Sequence, residues 1–299
     1  MKERFRDINF RKTSLALIEQ ANGIIDEYMT RGYTLTVRQL YYQMVARGLI
    51  ENNAKSYNRV QKTISDGRLA GLIDWDAIQD RTRYLRVFPS QSSPSNAIAR
   101  VAACYLLNKW ENQPCYLEVW TEKDALIDVV RHGCSATETP FFSCRGYSSQ
   151  SGMMEAAARF RAKRDREGRV ILYLGDHDPS GLDMTRYIRE SMQEFGADVE
   201  VVRIALNMDQ IQALNPPPNP AKESDTRCKG YVQKYGALSW ELDAIDPDEM
   251  AGLINMMIKG YMDTAIFDET CKRQEHDRHC LSLIAANYSA CVAGLGGCM

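Results

Sequence analysis

From residue 115 onward the chain alternates short apolar runs with amphipathic stretches, and this order restricts the fold more than any other feature of the sequence. CYLEVWTE, PFFSC, RVILYLGD and VEVVRIAL read as strands. Between them KDALIDVVRHG, QSGMMEAAARFRAKRDREG and SGLDMTRYIRESMQEFG have helical spacing, the second with a very basic tail. A βαβαβαβ series of this kind folds through right-handed crossovers into a mostly parallel sheet with helices on both faces. RVILYLGD is almost continuously apolar, as a strand covered on both sides requires. NPPPNPAKESD is too rich in proline for helix or strand and is expected as an ordered strap. Mostly helical segments follow, beginning with WELDAIDPDEMAGLINMMIKGYMD. The expected class is α/β with helical C-terminal elements, and no internal repeat is visible.

The first third is built differently. RKTSLALIEQANGIIDEYMTRG has helical periodicity and stops at Gly32, and TLTVRQLYYQMVARGLI starts from Thr36 as its cap and closes at Gly48. After the polar turn ENNAKS, a helix in YNRVQKTISDGRLAGLI carries Arg59, Lys62 and Arg68 on or near its exposed side. Two helices joined by a short turn, the second one basic, fit a helix-turn-helix or winged helix. Residues 73–90 would then supply the wing or its return, and QSSPSNAIAR a linker into another helix. The net charge of −2 conceals an asymmetry: residues 1–110 hold 17 Lys and Arg against 10 Asp and Glu, and the remainder holds 20 against 29. The basic N-terminal part is the candidate for contact with a polyanion. The expected division is 1–110 as a winged-helix-like DNA-binding domain and 111–299 as an acidic sheet domain with a helical extension.

Two stretches carry side chains with chemical potential. In TVRQLYYQM successive residues point about 100° apart, so Val37, Leu40, Tyr41 and Met44 form one apolar stripe. Tyr41 is therefore expected in the core, while Tyr42 lies one turn from Arg38 on the side that does not pack. A solvated tyrosine resting on an arginine stem is the ordinary explanation of that stretch. The second stretch is acidic. Ligands of open parallel sheets bind beyond the carboxyl ends of the strands, where Glu122 closes VWTE and Asp176 and Asp178 close LGDHD. Residues two apart in extended chain face the same way, so Asp176 and Asp178 can address one ion while His177 points elsewhere. Carboxylates with open water positions suit Mg²⁺. The competing reading is a set of solvated acids capping the helix that starts near Ser180.

EKDA after one strand and GDHDPSGLD after another resemble the Toprim domain, in the wording found in the A subunit of topoisomerase VI and the related proteins that make meiotic double-strand breaks. That family also carries, upstream in a winged-helix domain, an Arg-x-x-Tyr-Tyr-type motif, and RQLYY at 38–42 is similar to it in every position. The resemblance spans roughly residues 30 to 250, and RGYSS at 145–149 is loosely similar to a glycine-containing loop between the Toprim acids. It implies a Rossmann-like Toprim fold, Tyr42 as DNA-cleaving nucleophile with Arg38 as its cationic neighbour, and Mg²⁺ held by Glu122, Asp176 and Asp178. It further implies a homodimer on double-stranded DNA, each strand cut by transesterification to a 5′-phosphotyrosyl link, in the manner of a type IIB topoisomerase A subunit. Any ATPase would be a separate subunit, since no segment here is similar to one. Two rival functions are a Toprim nuclease that activates water, and a non-catalytic DNA-binding or replication-accessory protein.

No run approaches the length of a membrane span and no N-terminal segment pairs a basic start with an apolar stretch, so a cytoplasmic, nucleoid-associated protein is expected. The nine cysteines lack paired spacing and are expected as reduced thiols. Cys271, His276, His279 and Cys280 lie close together in CKRQEHDRHC, but zinc sites separate their ligand pairs more widely, and a structural role is favoured. MAGLINMMIKGYM is read as core packing, and Lys222 and Arg227 as strap cations that either touch phosphates or remain solvated.

Overall fold

The computed structural model describes residues 1–78, 90–221 and 224–294. Its centre is a four-stranded, wholly parallel sheet of β1 (Cys115–Thr121), β2 (Phe141–Ser143), β3 (Gly168–Leu174) and β4 (Glu200–Ala205), in the order β2-β1-β3-β4. The crossover helices are α5 (Ile127–Ser135), α6 (Gln150–Ala162) and α7 (Pro179–Glu194). The expected mixed α/β architecture is therefore present. β1 and β3 pair along their whole length, Cys115 with Gly168 through Thr121 with Leu174. After β1 the chain turns toward one edge and after β3 toward the other, which opens a crevice at the carboxyl ends of these two central strands.

Strand alternation divides the core into two layers. Leu117 and Val119 of β1 and Val170, Leu172 and Leu174 of β3 face α5 and α10 (Pro247–Lys259). Trp120, Ile171 and Tyr173 face the opposite layer, made by Met153, Ala156 and Phe160 of α6 and Met184 and Ile188 of α7. α5 and α10 approach closely at Gly133, where an added Cβ would lie 2.8 Å from Ile254 Cβ. The third layer is helical: α1 (Lys12–Thr30), α2 (Val37–Ala46) and α3 (Ala54–Leu69) pack around Ile25, Tyr28, Leu40, Met44 and Ile64. Thr36 caps α2 in a reciprocal capping box with Gln39. Of the expected wing, residues 79–89 lie outside the described residues.

α4 (Pro94–Cys104) packs against the long α11 (Thr264–Ala286), with Ser95 Oγ donating to Ala285 O at 2.8 Å. The proline-rich strap does hold order: Asn219–Pro220 (β5) pairs antiparallel with Leu238–Ser239 (β6). α8 (Met208–Leu214) precedes it, α9 (Cys228–Tyr235) lies between the two short strands, and α12 (Tyr288–Gly294) ends the described chain. No helix among the described residues is long and apolar enough to cross a membrane.

The helical layer is tied to the sheet layers by Asp246, the cap of α10. Its carboxylate accepts from Tyr28 Oη at 2.9 Å, from Arg31 Nη2 at 2.8 Å and from the Asp248 amide at 2.8 Å. Burial raises the Asp246 pKa, but the Asp248 amide, Tyr28 and Arg31 together leave it below the ordinary carboxylate value. A depressed folded pKa contributes stability above the unfolded value and loses it as pH falls through the folded one. Replacing the cap and its charge-assisted bonds in Asp246→Ala should cost about 1–3 kcal/mol. Urea melts at neutral pH measure that loss, and the same melts repeated toward acid should show a smaller pH slope in Asp246→Ala than in the parent chain.

Candidate functional site

The crevice at the switch between β1 and β3 receives Glu122 and Asp176, the residues that leave these strands. The Asp176 amide donates to Glu122 Oε2 at 3.0 Å, and the Glu122 amide donates to Leu174 O at 2.9 Å, so the two strand ends are laced together. Asp178 caps α7 through Oδ1, which accepts from the Gly181 amide at 2.6 Å. The capping role expected of it is thus present. An added Cβ at Gly181 would fall 2.2 Å from Asp176 O and 3.0 Å from Glu122 Oε2, so only glycine lets the first turn of α7 sit against the two acids.

A residue that sequence reasoning left without a role organises this rim. Lys123 Nζ lies 2.8 Å from Asp176 Oδ2, 2.9 Å from Glu241 Oε2 and 2.8 Å from Asp243 Oδ2. Burial works against its charge, yet Asp176, Asp243 and Glu241 together raise its pKa. Burial pushes Asp176 up, Lys123 pulls it back and the Glu122 charge adds to the rise, leaving it at about 7. Glu122 is raised by burial and by Asp178, against the Asp176 amide that favours its charged form. Asp176 Oδ1 meanwhile accepts from the Leu242 amide at 2.8 Å, which fastens the 240–244 segment to the end of β3.

Arg203, in the middle of β4, is the second residue that escaped notice. Its guanidinium donates to Gly175 O at 2.7 Å, Asp176 O at 2.6 Å and Gly181 O at 2.8 Å, gathering the loop that carries both aspartates. The available signal was a cation inside an otherwise apolar strand. His177 points away from the acids, as alternation requires, and its Nδ1 meets Tyr231 Oη at 2.9 Å. Burial, with Arg203 adding to it, lowers the His177 pKa to about 4.

The tyrosine pair departs from expectation. Tyr41 and Tyr42 are both buried, each 4% exposed. Helical periodicity assigned Tyr42 to solvent, but β5 and the segment after β6 cover that face of α2. Asn219 Nδ2 donates to Tyr42 Oη at 3.2 Å, and the Arg38 guanidinium lies 5.6 Å from the centre of its ring. Burial and the Glu241 charge raise the Tyr42 pKa, outweighing Asn219 and Arg38, which favour the phenolate. Arg38 itself pairs with Glu241 Oε2, and its Nε lies 3.5 Å from Asp243 Oδ2. Burial alone would raise Glu241, but Lys123 and Arg38 pull it down to about 2. Glu241 thus links the tyrosine helix to the acidic rim, and neither it nor Asp243 was singled out from WELDA.

The expected basic face is only partly presented outward. Lys62 and Arg59 are exposed, Arg59 donating to Thr13 O at 3.2 Å. Arg68 is drawn back, stacked 4.4 Å from the Trp75 ring centre and donating to Trp75 O. Arg227 pairs with Asp183 and Asp225, each at 2.8 Å, and Lys222 lies outside the described residues. His276 and Cys280 meet on α11 at 3.7 Å. Among the described residues, no three or more His, Cys, Asp or Glu side chains are gathered closely enough to hold a metal ion. No protein-family model matches the chain, and no curated protein matches it.

The closeness of Gly181 to both acids generates a direct test. Gly181→Ala must push α7 off the rim, and overpacking of this kind costs about 1–3 kcal/mol. Thermal melts should show a lower transition temperature for Gly181→Ala, whereas Gly230→Ala, on α9 with open space around it, should melt like the parent chain.

Proposed function

We propose that this chain cleaves double-stranded DNA by tyrosine transesterification, in the manner of the topoisomerase VI A subunit, with a winged-helix-like N-terminal unit and a Toprim-like sheet. The observation that carries the reading is the linkage of RQLYY to the acidic rim within one network, from Tyr42 and Arg38 through Glu241 and Lys123 to Asp176 and Glu122. Two motifs far apart in sequence meet where an open parallel sheet binds its ligands.

The chemistry asks for a phosphate beside Tyr42. The bond from Tyr42 Oη to phosphorus forms as the bond from phosphorus to O3′ breaks, the phenolic proton departs and the 3′-oxygen takes up a proton. Bond energy is kept in the phosphotyrosyl link. Arg38 favours the phenolate and faces the phosphate oxygens, where a cation offsets developing charge. The donor types suit a hard cation, although no three acids among the described residues are gathered closely enough to hold one unaided; Glu122 Oε1 and Asp178 Oδ2 accept no hydrogen bond among those residues. Glu122, Asp178 and Asp176, the last with its charge balanced by Lys123, would hold Mg²⁺ only together with oxygens of the bound DNA phosphate and water. When bound, Mg²⁺ would orient the phosphate and stabilise the leaving 3′-oxygen. Cutting both strands calls for two copies, so a homodimer on DNA belongs to the proposal, as do a separate ATPase subunit and association with the nucleoid.

A water-using nuclease is the second reading. The burial of Tyr42 and its raised pKa favour it, because both hold the hydroxyl back from attack. One substitution separates the two. Under tyrosine attack, Tyr42→Phe abolishes both cleavage and the covalent protein-DNA adduct on denaturing gels while DNA binding persists, and Tyr41→Phe retains both. Glu122→Ala removes cleavage in either mechanism, and chelation by EDTA does the same. Mg²⁺-dependent cutting by Tyr42→Phe at near the parent rate, with no adduct from either chain, would leave the nuclease.

DNA binding by the basic helix makes a separate prediction. Replacing Arg59 and Lys62 together should lower the slope of log affinity against log salt by about two, one for each phosphate that these cations would neutralise.

A further inference from the structure

Glu241 places an anion where a DNA phosphate would have to sit. Its Oε2 accepts from Lys123 Nζ at 2.9 Å and from Arg38 Nη2, and its Oε1 accepts from Asn219 Nδ2 at 3.3 Å. The same Asn219 amide donates to Tyr42 Oη. One carboxylate therefore engages a guanidinium and an ammonium and stands next to the phenol. A phosphodiester offers those donors the same thing, two anionic oxygens able to accept charge-assisted hydrogen bonds. Arg38 cannot serve both at full strength.

Charge balance favours an exchange. Around Lys123 and Arg38 stand three carboxylates, Asp176, Glu241 and Asp243. Replacing the Glu241 carboxylate by one phosphodiester leaves the count unchanged and returns Glu241 to water. Access is also present: a cleft of about 580 Å³ opens beside Arg38 between α2, α3 and the turn after β1, lined by Thr36, Tyr57, Gln61, Arg68 and Asp124 among others. Arg38 lines it and its side chain is 44% exposed, while Tyr42 stays covered. The cation can meet DNA first and the nucleophile only after Glu241 has moved.

We propose that Glu241 is an internal phosphate mimic that keeps an Arg38–Lys123 phosphate clamp closed over Tyr42, and that a DNA phosphodiester opens the clamp by displacing it. Lys123 then becomes a DNA-binding residue in addition to Arg38. The meaning of the clamp for cleavage rests on the tyrosine reading, but its effect on binding does not.

The test uses the full-length Tyr42→Phe chain in EDTA, so that nothing is cut, and reads fluorescence anisotropy of a labelled duplex across a KCl series. Adding Glu241→Gln should tighten binding several-fold and steepen the salt slope by about one, for one further phosphate neutralised. Glu19→Gln, an exposed acid on α1, measures the general effect of removing one negative charge. Adding Lys123→Gln to the Glu241→Gln chain should erase the gain. If Glu241→Gln fails to fold by circular dichroism, Glu241→Asp decides instead, since it withdraws the carboxylate by one methylene and keeps its charge. The proposal is overturned if the folded Glu241 variant binds no more tightly than Glu19→Gln, or if the gain survives loss of Lys123. Failure of the tyrosine reading looks different, as Mg²⁺-dependent cutting by Tyr42→Phe with no adduct, and leaves the binding result standing.

Discussion

A single ammonium holds the site together. Lys123 is the common partner of Asp176 at the end of β3, of Glu241 beside the tyrosine helix and of Asp243 in the turn that follows Glu241. Three carboxylates brought this close would repel one another strongly in a buried setting, and the cation offsets that repulsion where the segment at 240–244 meets the sheet. The Leu242 amide on Asp176 and the mutual bonds of His177 with Trp240 then finish the attachment. The helical layer reaches the sheet's crevice through this cluster, so the geometry of Tyr42 relative to the acids depends on it.

Backbone geometry contributes as much as charge. The acidic rim exists because β1 and β3 are central and diverge in their onward connections, which leaves a crevice at their carboxyl ends into which the 240–244 segment packs. Arg203 then ties two carbonyls of the loop after β3 to one in the first turn of α7, and Gly181 lets that turn come within contact of Glu122 and Asp176. Rigid supports of this kind are what a site needs if its polar groups are to keep their positions when a charged ligand arrives.

In this arrangement the tyrosine is covered and its proton firmly held. Burial and a neighbouring carboxylate both oppose the phenolate, and Arg38, the group best placed to favour it, is engaged by Glu241. A reactive phenol needs those influences reversed, with the carboxylate gone and a cation free to act on it. Under the proposed tyrosine mechanism, what separates this arrangement from a competent one is which anion Arg38 and Lys123 hold.

The parallel sheet is legible in the sequence, because continuous apolar strands alternating with amphipathic helices have few other ways to bury their surface. The sequence also placed Glu122 and Asp176 at neighbouring strand ends, since where a strand stops is a local fact, but not the distance of Asp178 from them. Thr36 as a cap and the helices at Leu40 and Arg59 were legible for the same reason. What covers α2 was not. Helical periodicity can say which face of Tyr42 is turned from its own layer, but not that β5 and the Glu241 segment, almost two hundred residues away in the chain, would close over it. Lys123 and Arg203 looked like an incidental charge after a strand and a cation within one. Their roles come from partners on other elements, because which distant carboxylates and carbonyls a buried cation meets is set by how those elements pack.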